Sequence, residues 1–255
     1  MLQTSTLQTD KGDAAIVVDS TAVSPFVVVC EHAGVAIPAA LGNLGLSETE
    51  LQSHIAWDPG AAPVAEMLAK TLKGTLVKQR YSRLVYDCNR PPSSDEAMRQ
   101  LSESTKIPGN YDLSGEEKHW RTENIYNAFH KAIGEQLDRR PDPVMVTVHS
   151  FTPVYNRIER AVDIGVLHDT DSRLADAMLS ELVFDDDILV RRNEPYGPRD
   201  GVTHTLVKHG EKRPILNVMI EIKNTLIADD NSQRQYADQL AKTVKIAVNK
   251  ISTTD

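Results

Sequence analysis

Three side chains in this sequence have the types and settings that chemistry asks for: His32, His149 and Glu221. Each lies within or just beyond an apolar, β-branched run. Phe26-Val27-Val28-Val29-Cys30 leads to Glu31-His32, Val144-Met145-Val146-Thr147-Val148 leads to His149, and Leu216-Asn217-Val218-Met219-Ile220 leads to Glu221. Such runs read as strands buried on both faces. If the three strands run parallel, their carboxyl ends project these residues into one crevice, where open α/β sheets bind ligands. Two imidazoles, a carboxylate and an open position form the donor set of a catalytic zinc site. A single His at a strand end is more often structural, so the reading rests on the partners.

The carboxylate of that set is Glu31 or Asp58. Glu31 adjoins His32, and extended backbone would send its side chain to the opposite face. That suits it to hold the second nitrogen of an imidazole. Asp58 follows the loop that leaves the same strand and can fold back over the strand end, so it is favoured. As an acid followed by Pro59 it also reads as an ordinary helix N-cap. Glu221, between Ile220 and Ile222, is costly to bury unless it is paired or at work. It reads as the base that takes a proton from water, with a buried ion pair to Lys223 or an arginine as the rival. Asn89 and Arg90 follow a further strand-like run, Leu84–Cys88. With Arg80 and Arg83 they make a local cationic site for a small anion. Arg83 reads equally well as a bridge to acids such as Asp87. Tyr196, in the turn-rich Asn193–Gly197 loop, is placed to act as a lid or donor, and His54 is the best alternate ligand.

Around these residues the pattern predicts helices over 61–72, 114–136, 172–182 and 232–250, with shorter ones over 47–54 and 203–209. Strands are expected at 26–30, from 75, and at 84–88, 144–148, 164–167, 188–190 and 216–222. The alternation predicts an α/β fold: a single domain with a mostly parallel or mixed central sheet and helices on both faces. Residues 1–24 read as a loosely ordered arm or an added edge segment, and 25–255 as the functional domain. The polar stretch 93–115 has the length of a functional or mobile loop. A chain of 255 residues, 40% hydrophobic and 25% charged, is ordinary for a soluble domain. The net charge of −8 argues against a nucleic-acid partner. No run reaches the ~20 apolar residues of a membrane span, and no signal peptide is visible. Cys30 and Cys88 read as buried structural thiols in a reducing cytoplasm. The expected partner is a small anionic substrate, and a homo-oligomer is open to the chain.

Glu31-His32-Ala33-Gly34 with Ile37-Pro38, Trp57-Asp58-Pro59-Gly60-Ala61, Tyr81-Ser82-Arg83, Asp87-Cys88-Asn89-Arg90-Pro91, Val148-His149-Ser150, Asn193-Glu194-Pro195-Tyr196 and Ile220-Glu221-Ile222-Lys223-Asn224 occur in this order. Together they resemble the N-formylglutamate amidohydrolases. The resemblance implies a zinc-dependent hydrolase domain with the phosphorylase/hydrolase-like α/β fold of zinc carboxypeptidases. The implied reaction turns N-formyl-L-glutamate and water into L-glutamate and formate, in histidine breakdown. By position it implies His32, Asp58 and His149 as metal ligands and Glu221 as general base. Asn89 and Arg90 resemble the pair that holds a substrate carboxylate. Carboxypeptidases take two ligands from a His-x-x-Glu segment, whereas here the fourth position is Val35. The alternatives are an amidohydrolase of another small N-acyl amino acid or peptide, and a non-catalytic protein that binds small anions.

Overall fold

Alternation of side chains along the central strands divides the core into two layers. The computed structural model describes residues 7–19, 24–182, 184 and 187–253. The strands are β1 (Ala15–Val18), β2 (Phe26–Cys30), β3 (Thr75–Gln79), a small hairpin of β4 (Leu101–Ser102) and β5 (Thr105–Lys106), and β6 (Val144–Phe151). A second hairpin of β7 (Val154–Tyr155) and β8 (Ile158–Glu159) follows, then β9 (Ile164–Leu167), β10 (Val190–Arg192) and β11 (Leu216–Lys223). The main sheet has the order β1-β3-β2-β6-β11-β9-β10. Its centre, β3-β2-β6-β11, is parallel, while β1 on β3 and β9 on β11 are antiparallel. The sheet is therefore mixed.

The helices are α1 (Glu48–Leu51), α2 (Ala61–Leu72), α3 (Gly115–Arg121), α4 (Ala128–Asp138), α5 (Arg173–Glu181) and α6 (Asp230–Ser252). In α2 the buried residues Ala61, Val64, Ala65, Leu68, Ala69 and Leu72 recur at helical spacing and form one stripe. That stripe packs with α5 and α6 against Phe26, Val28 and Cys30 of β2, Val144, Val146 and Val148 of β6, and Val218, Ile220 and Ile222 of β11. The alternate residues Val27, Val29, Met145 and Met219 face the other layer, with Phe129, Ile133 and Leu137 of α4. The helix expected over 114–136 starts at a Ser114–Glu117 capping box. It reaches Asp138 through a π-helical turn at Thr122–Asn127. Among the described residues no helix is long and apolar enough to cross a membrane.

Three expectations change. The edge-segment reading describes part of 1–24, because Ala15–Val18 extends the sheet as β1; residues 1–6 and 20–23 lie outside the described residues. Leu84–Cys88 is buried but is not a strand. Both edges of β3 are already taken by β1 and β2, so the run has no slot in the sheet. Its carbonyls are satisfied by side chains instead: Asn110 Nδ2 donates to Leu84 O at 2.9 Å and Arg121 Nη1 to Val85 O at 3.2 Å. The stretch 93–115 is not a bare loop, since it contains the β4–β5 hairpin and two 3₁₀ turns.

Candidate metal centre and active site

Strand register brings the chemistry together. β2, β6 and β11 lie side by side and parallel, and His149 of β6 is the direct neighbour of Glu221 of β11. Val148, Ile220 and Ile222 face the α2–α5–α6 layer, so His149 and Glu221 point to the other side. His149 lies within β6, which continues to Phe151 rather than ending before the histidine. His32 sits two residues beyond β2. Asp58 is tied to it through the backbone, with Asp58 N donating to His32 O at 3.0 Å. The N-cap expected of Asp58 belongs to Gly60, which has φ +81°. A Cβ at Gly60 would lie 2.5 Å from Ile227 O, so a side chain is excluded there on both counts. The left-handed turn starts α2 at Ala61 and leaves the Asp58 carboxylate free to face the imidazoles.

His32 Nδ1, Asp58 Oδ2 and His149 Nδ1 form a buried triangle. Its sides are 3.2 Å (His32–Asp58), 3.1 Å (His32–His149) and 2.9 Å (His149–Asp58). Donors about 2.0–2.1 Å from a tetrahedral zinc ion stand about 3.3 Å apart, so the triangle fits such an ion. The outer nitrogens reinforce the fit. His32 Nε2 lies 2.7 Å from Asp87 Oδ1, and His149 Nε2 makes an ion-pair contact of 3.1 Å with Glu31 Oε2. With each Nε2 beside a carboxylate, the two Nδ1 atoms and Asp58 Oδ2 are left facing one another at close range, an arrangement that a shared cation satisfies. In the metal-free protein a proton serves. Burial opposes an imidazolium at His149, but Glu31 and Asp58 outweigh it and hold the His149 pKa well above its usual value.

The carboxylates stay ionised for related reasons. Burial would raise Asp87, yet Arg83 and His32 hold it well below the carboxylate range. Burial likewise opposes ionised Asp58, and His32, His149 and Arg83 overcome it. Glu221 is the exception. Burial, with Asp58 adding to it, raises its carboxyl to about 7 although His149 opposes the shift. Its Oε2 is buried without a hydrogen-bond partner among the described residues. Tyr196 lies against Glu221, and burial together with that carboxylate pushes the phenol well above its usual pKa. Lys223, weighed as a partner for Glu221, bonds Asp163 Oδ1 at 2.6 Å instead.

A cavity of about 400 Å³ opens over the triangle and is lined by Glu221, Tyr196, Arg83, Asn89, Arg90 and Arg160, among others. Arg83 bridges two carboxylates, with Nη1 3.2 Å from Asp58 Oδ1 and Nη2 2.7 Å from Asp87 Oδ2. The bridging alternative therefore describes its contacts. Asn89 lines the cavity but its amide is engaged: Nδ2 donates to Val202 O at 2.5 Å, and Oδ1 accepts from Thr205 N at 3.0 Å. Arg90 Nη1 donates to Gly201 O at 2.8 Å. Arg80, grouped with them in the sequence, bonds Asp13 O in the N-terminal segment and does not line the cavity. His54 lines the cavity wall beside Glu103 and stands outside the triangle.

Sequence reasoning missed the role of Asp87 as the acceptor behind His32. The signal was present, because Asp87 lies between Tyr86 and Cys88 in an apolar run, the same argument that singled out Glu221. It also missed Arg160, which no spacing marks. Both cysteines are free and buried.

The model of the N-formylglutamate amidohydrolase family matches residues 24–228. Among solved structures, the crystal structure of a gene product from Agrobacterium tumefaciens is 48% identical, with a TM-score of 0.93, over 96% of this chain and 99% of that one. An N-formylglutamate amidohydrolase from Ralstonia eutropha JMP134 shares the fold at 19% identity, with a TM-score of 0.65, over 92% of this chain and 97% of that one. No curated protein matches the chain. The match across most of the chain, from the start of β2 to the turn beyond β11, shows that the protein belongs to the N-formylglutamate amidohydrolase family.

Proposed function

We propose that this protein hydrolyses N-formyl-L-glutamate to L-glutamate and formate with the help of a divalent metal, zinc in this reading. The observation that carries the proposal is the His32–Asp58–His149 triangle with a carboxyl of raised pKa, Glu221, beside it on the next strand. A metal held by those three residues supplies Lewis-acid polarisation of the formyl carbonyl and a lowered pKa for water. Glu221 accepts the proton of the attacking water and returns it to the amide nitrogen as the C–N bond breaks. A carboxyl near 7 suits a group that must both take and give a proton close to neutral pH. Asp87 and Glu31 fix the ring orientations of His32 and His149, and Arg83 holds Asp58 and Asp87 in place. Arg90 binds a substrate carboxylate, while Asn89 pins the backbone at 202 and 205 that walls the cavity. Tyr196 closes the site beside the base. In this reading the reaction serves histidine breakdown in the cytoplasm.

The test combines elemental analysis of the purified protein with assay of formate and glutamate release. About one metal ion per chain and formate release that a chelator abolishes are the expected results. Amine release from other N-acyl amino acids but not from N-formylglutamate would replace the substrate. Metal-free protein with no rescue by added Zn²⁺ would favour an anion-binding role.

A further inference from the structure

The cations that line the cavity divide into two kinds. Arg83 is paired with Asp58 and Asp87, and Arg99 with Glu96 and Asp87. Arg90 and Arg160 have no carboxylate partner among the described residues. Arg90 donates only to backbone carbonyls, those of Asn89 and Gly201. Arg160 Nη1 donates to Thr152 O at 3.3 Å, and its guanidinium carbon lies 4.7 Å from the Tyr155 ring centre, 5.3 Å from Tyr196 and 5.6 Å from Phe151. Aromatic faces hold a guanidinium in place without neutralising it, so its donor edge stays available to an anion.

The backbone that carries Arg160 continues directly from the strand that carries His149. That strand, β6, runs on through Phe151 into the β7–β8 hairpin. That hairpin returns Arg160 to the cavity, with Arg160 N donating to Pro153 O at 2.8 Å. One of the rings that hold it, Tyr196, also lies against Glu221. Of the acids that line the cavity, Asp58 meets Arg83, Glu96 meets Arg99 and Asp200 accepts from Gly197 N, while Glu221 stands beside the triangle against Tyr196.

We infer that Arg160, held by Tyr155, Phe151 and Tyr196, is a second carboxylate-binding residue, and that with Arg90 it selects N-acyl amino acids bearing two carboxylates over those bearing one. Two cations without carboxylate partners among the described residues, lining one small cavity, match the two negative charges of a dicarboxylate. A monocarboxylate would leave one guanidinium without its anion. The inference rests on the proposed hydrolysis of N-formyl amino acids, and it assigns the residue that sets the choice among them.

The experiment compares wild type, Arg160→Gln and Arg160→Lys in their metal-loaded forms. N-formylglutamate is assayed against two single-carboxylate analogues, N-formylglutamine and N-formyl-4-aminobutyrate. Loss of a charge-assisted contact predicts that Arg160→Gln raises KM for N-formylglutamate about 10- to 100-fold, with kcat much less affected. Its preference for N-formylglutamate over one of the two analogues should fall by a similar factor. Arg160→Lys, which keeps the charge but not the planar fork, should fall between. Equal losses on all three substrates, or an unchanged KM, would overturn the assignment and leave a structural role. A second arm measures binding of glutarate and butyrate by calorimetry, and it reads the subsite even if N-formylglutamate is not turned over. Wild type should prefer glutarate, and Arg160→Gln should lose that preference. Wild-type protein that does not bind glutarate, or a variant with the same preference, overturns the inference independently of the reaction.

Discussion

Glu221 and His149 occupy matching positions on neighbouring parallel strands, and both are held toward their protonated forms, but for opposite reasons. His149 has carboxylates on two sides and stays charged in the metal-free protein, whereas Glu221 has a buried oxygen without a donor. Two outcomes follow for Glu221. As the base it must be ionised, so kcat/KM should fall on the acid side, with a midpoint below the metal-free value of about 7 because a bound cation favours the carboxylate. Glu221→Gln should lower turnover by about 10²–10⁴-fold while leaving metal content intact. Near-normal turnover in that variant would remove Glu221 from the mechanism. The same raised pKa has a cost in stability. A native carboxyl near 7 against an ordinary 4.5 binds its proton more tightly when folded, so stability present in acid is lost as the pH rises through 7. In metal-free protein, Glu221→Gln should therefore be more stable than wild type at pH 8, by on the order of 1–3 kcal/mol, and gain nothing at pH 4. Chemical denaturation at the two pH values measures the difference. Asp87 acts through His32, so Asp87→Asn should weaken metal affinity about 10–100-fold, with activity recovering in excess metal. Competition against a chromophoric chelator reads that affinity directly.

At the scale of elements, the turn before α2 decides whether Asp58 caps a helix or faces the imidazoles. Gly60 takes the left-handed conformation at φ +81° with Ile227 O close behind it. Gly60→Ala meets both the conformational strain and the contact, so a loss of about 1–3 kcal/mol is expected from thermal unfolding. A fall in metal content should accompany it, because the displaced backbone carries Asp58. Unchanged metal content would separate the turn from the site. The run Leu84–Cys88 makes the converse point. Its apolar residues mark burial correctly, but burial alone does not distinguish a strand from an irregular segment. The free edges of the sheet settle that, and buried Asn110 and Arg121 take the place of a neighbouring strand. This irregular backbone is also what carries Asp87 to His32.

For the whole molecule, the triangle joins the end of β2, the turn before α2 and the body of β6, segments as far apart as residues 32 and 149. A metal that binds there only in the folded state adds its binding free energy to the stability of the domain. Free metal at 100–1,000 times its Kd contributes about 3–4 kcal/mol, which for a chain of this size moves Tm by roughly 6–16 °C. Thermal unfolding with and without a chelator should show a shift of that order, and it should vanish in His149→Ala. Identical melting curves for the wild type would mean that the triangle holds no metal.

The sequence by itself determined the strands that carry or lead to His32, His149 and Glu221, the α/β class and the family blocks, because burial period and residue type are local properties. It also narrowed the third ligand to two acids. Tertiary structure decided the rest. Strand order made β2, β6 and β11 neighbours, and register set His149 beside Glu221. The left-handed turn at Gly60 aimed Asp58 inward, and the ring contact of His149 placed Glu31 behind the triangle. Asp87 and Arg160 reached the site only through an irregular segment and a hairpin return, whose paths depend on contacts between residues distant in sequence. Pairing of that kind leaves no periodic trace along the chain, so the apolar run could mark Asp87 as a buried acid but not name His32 as its partner, and nothing local marked Arg160.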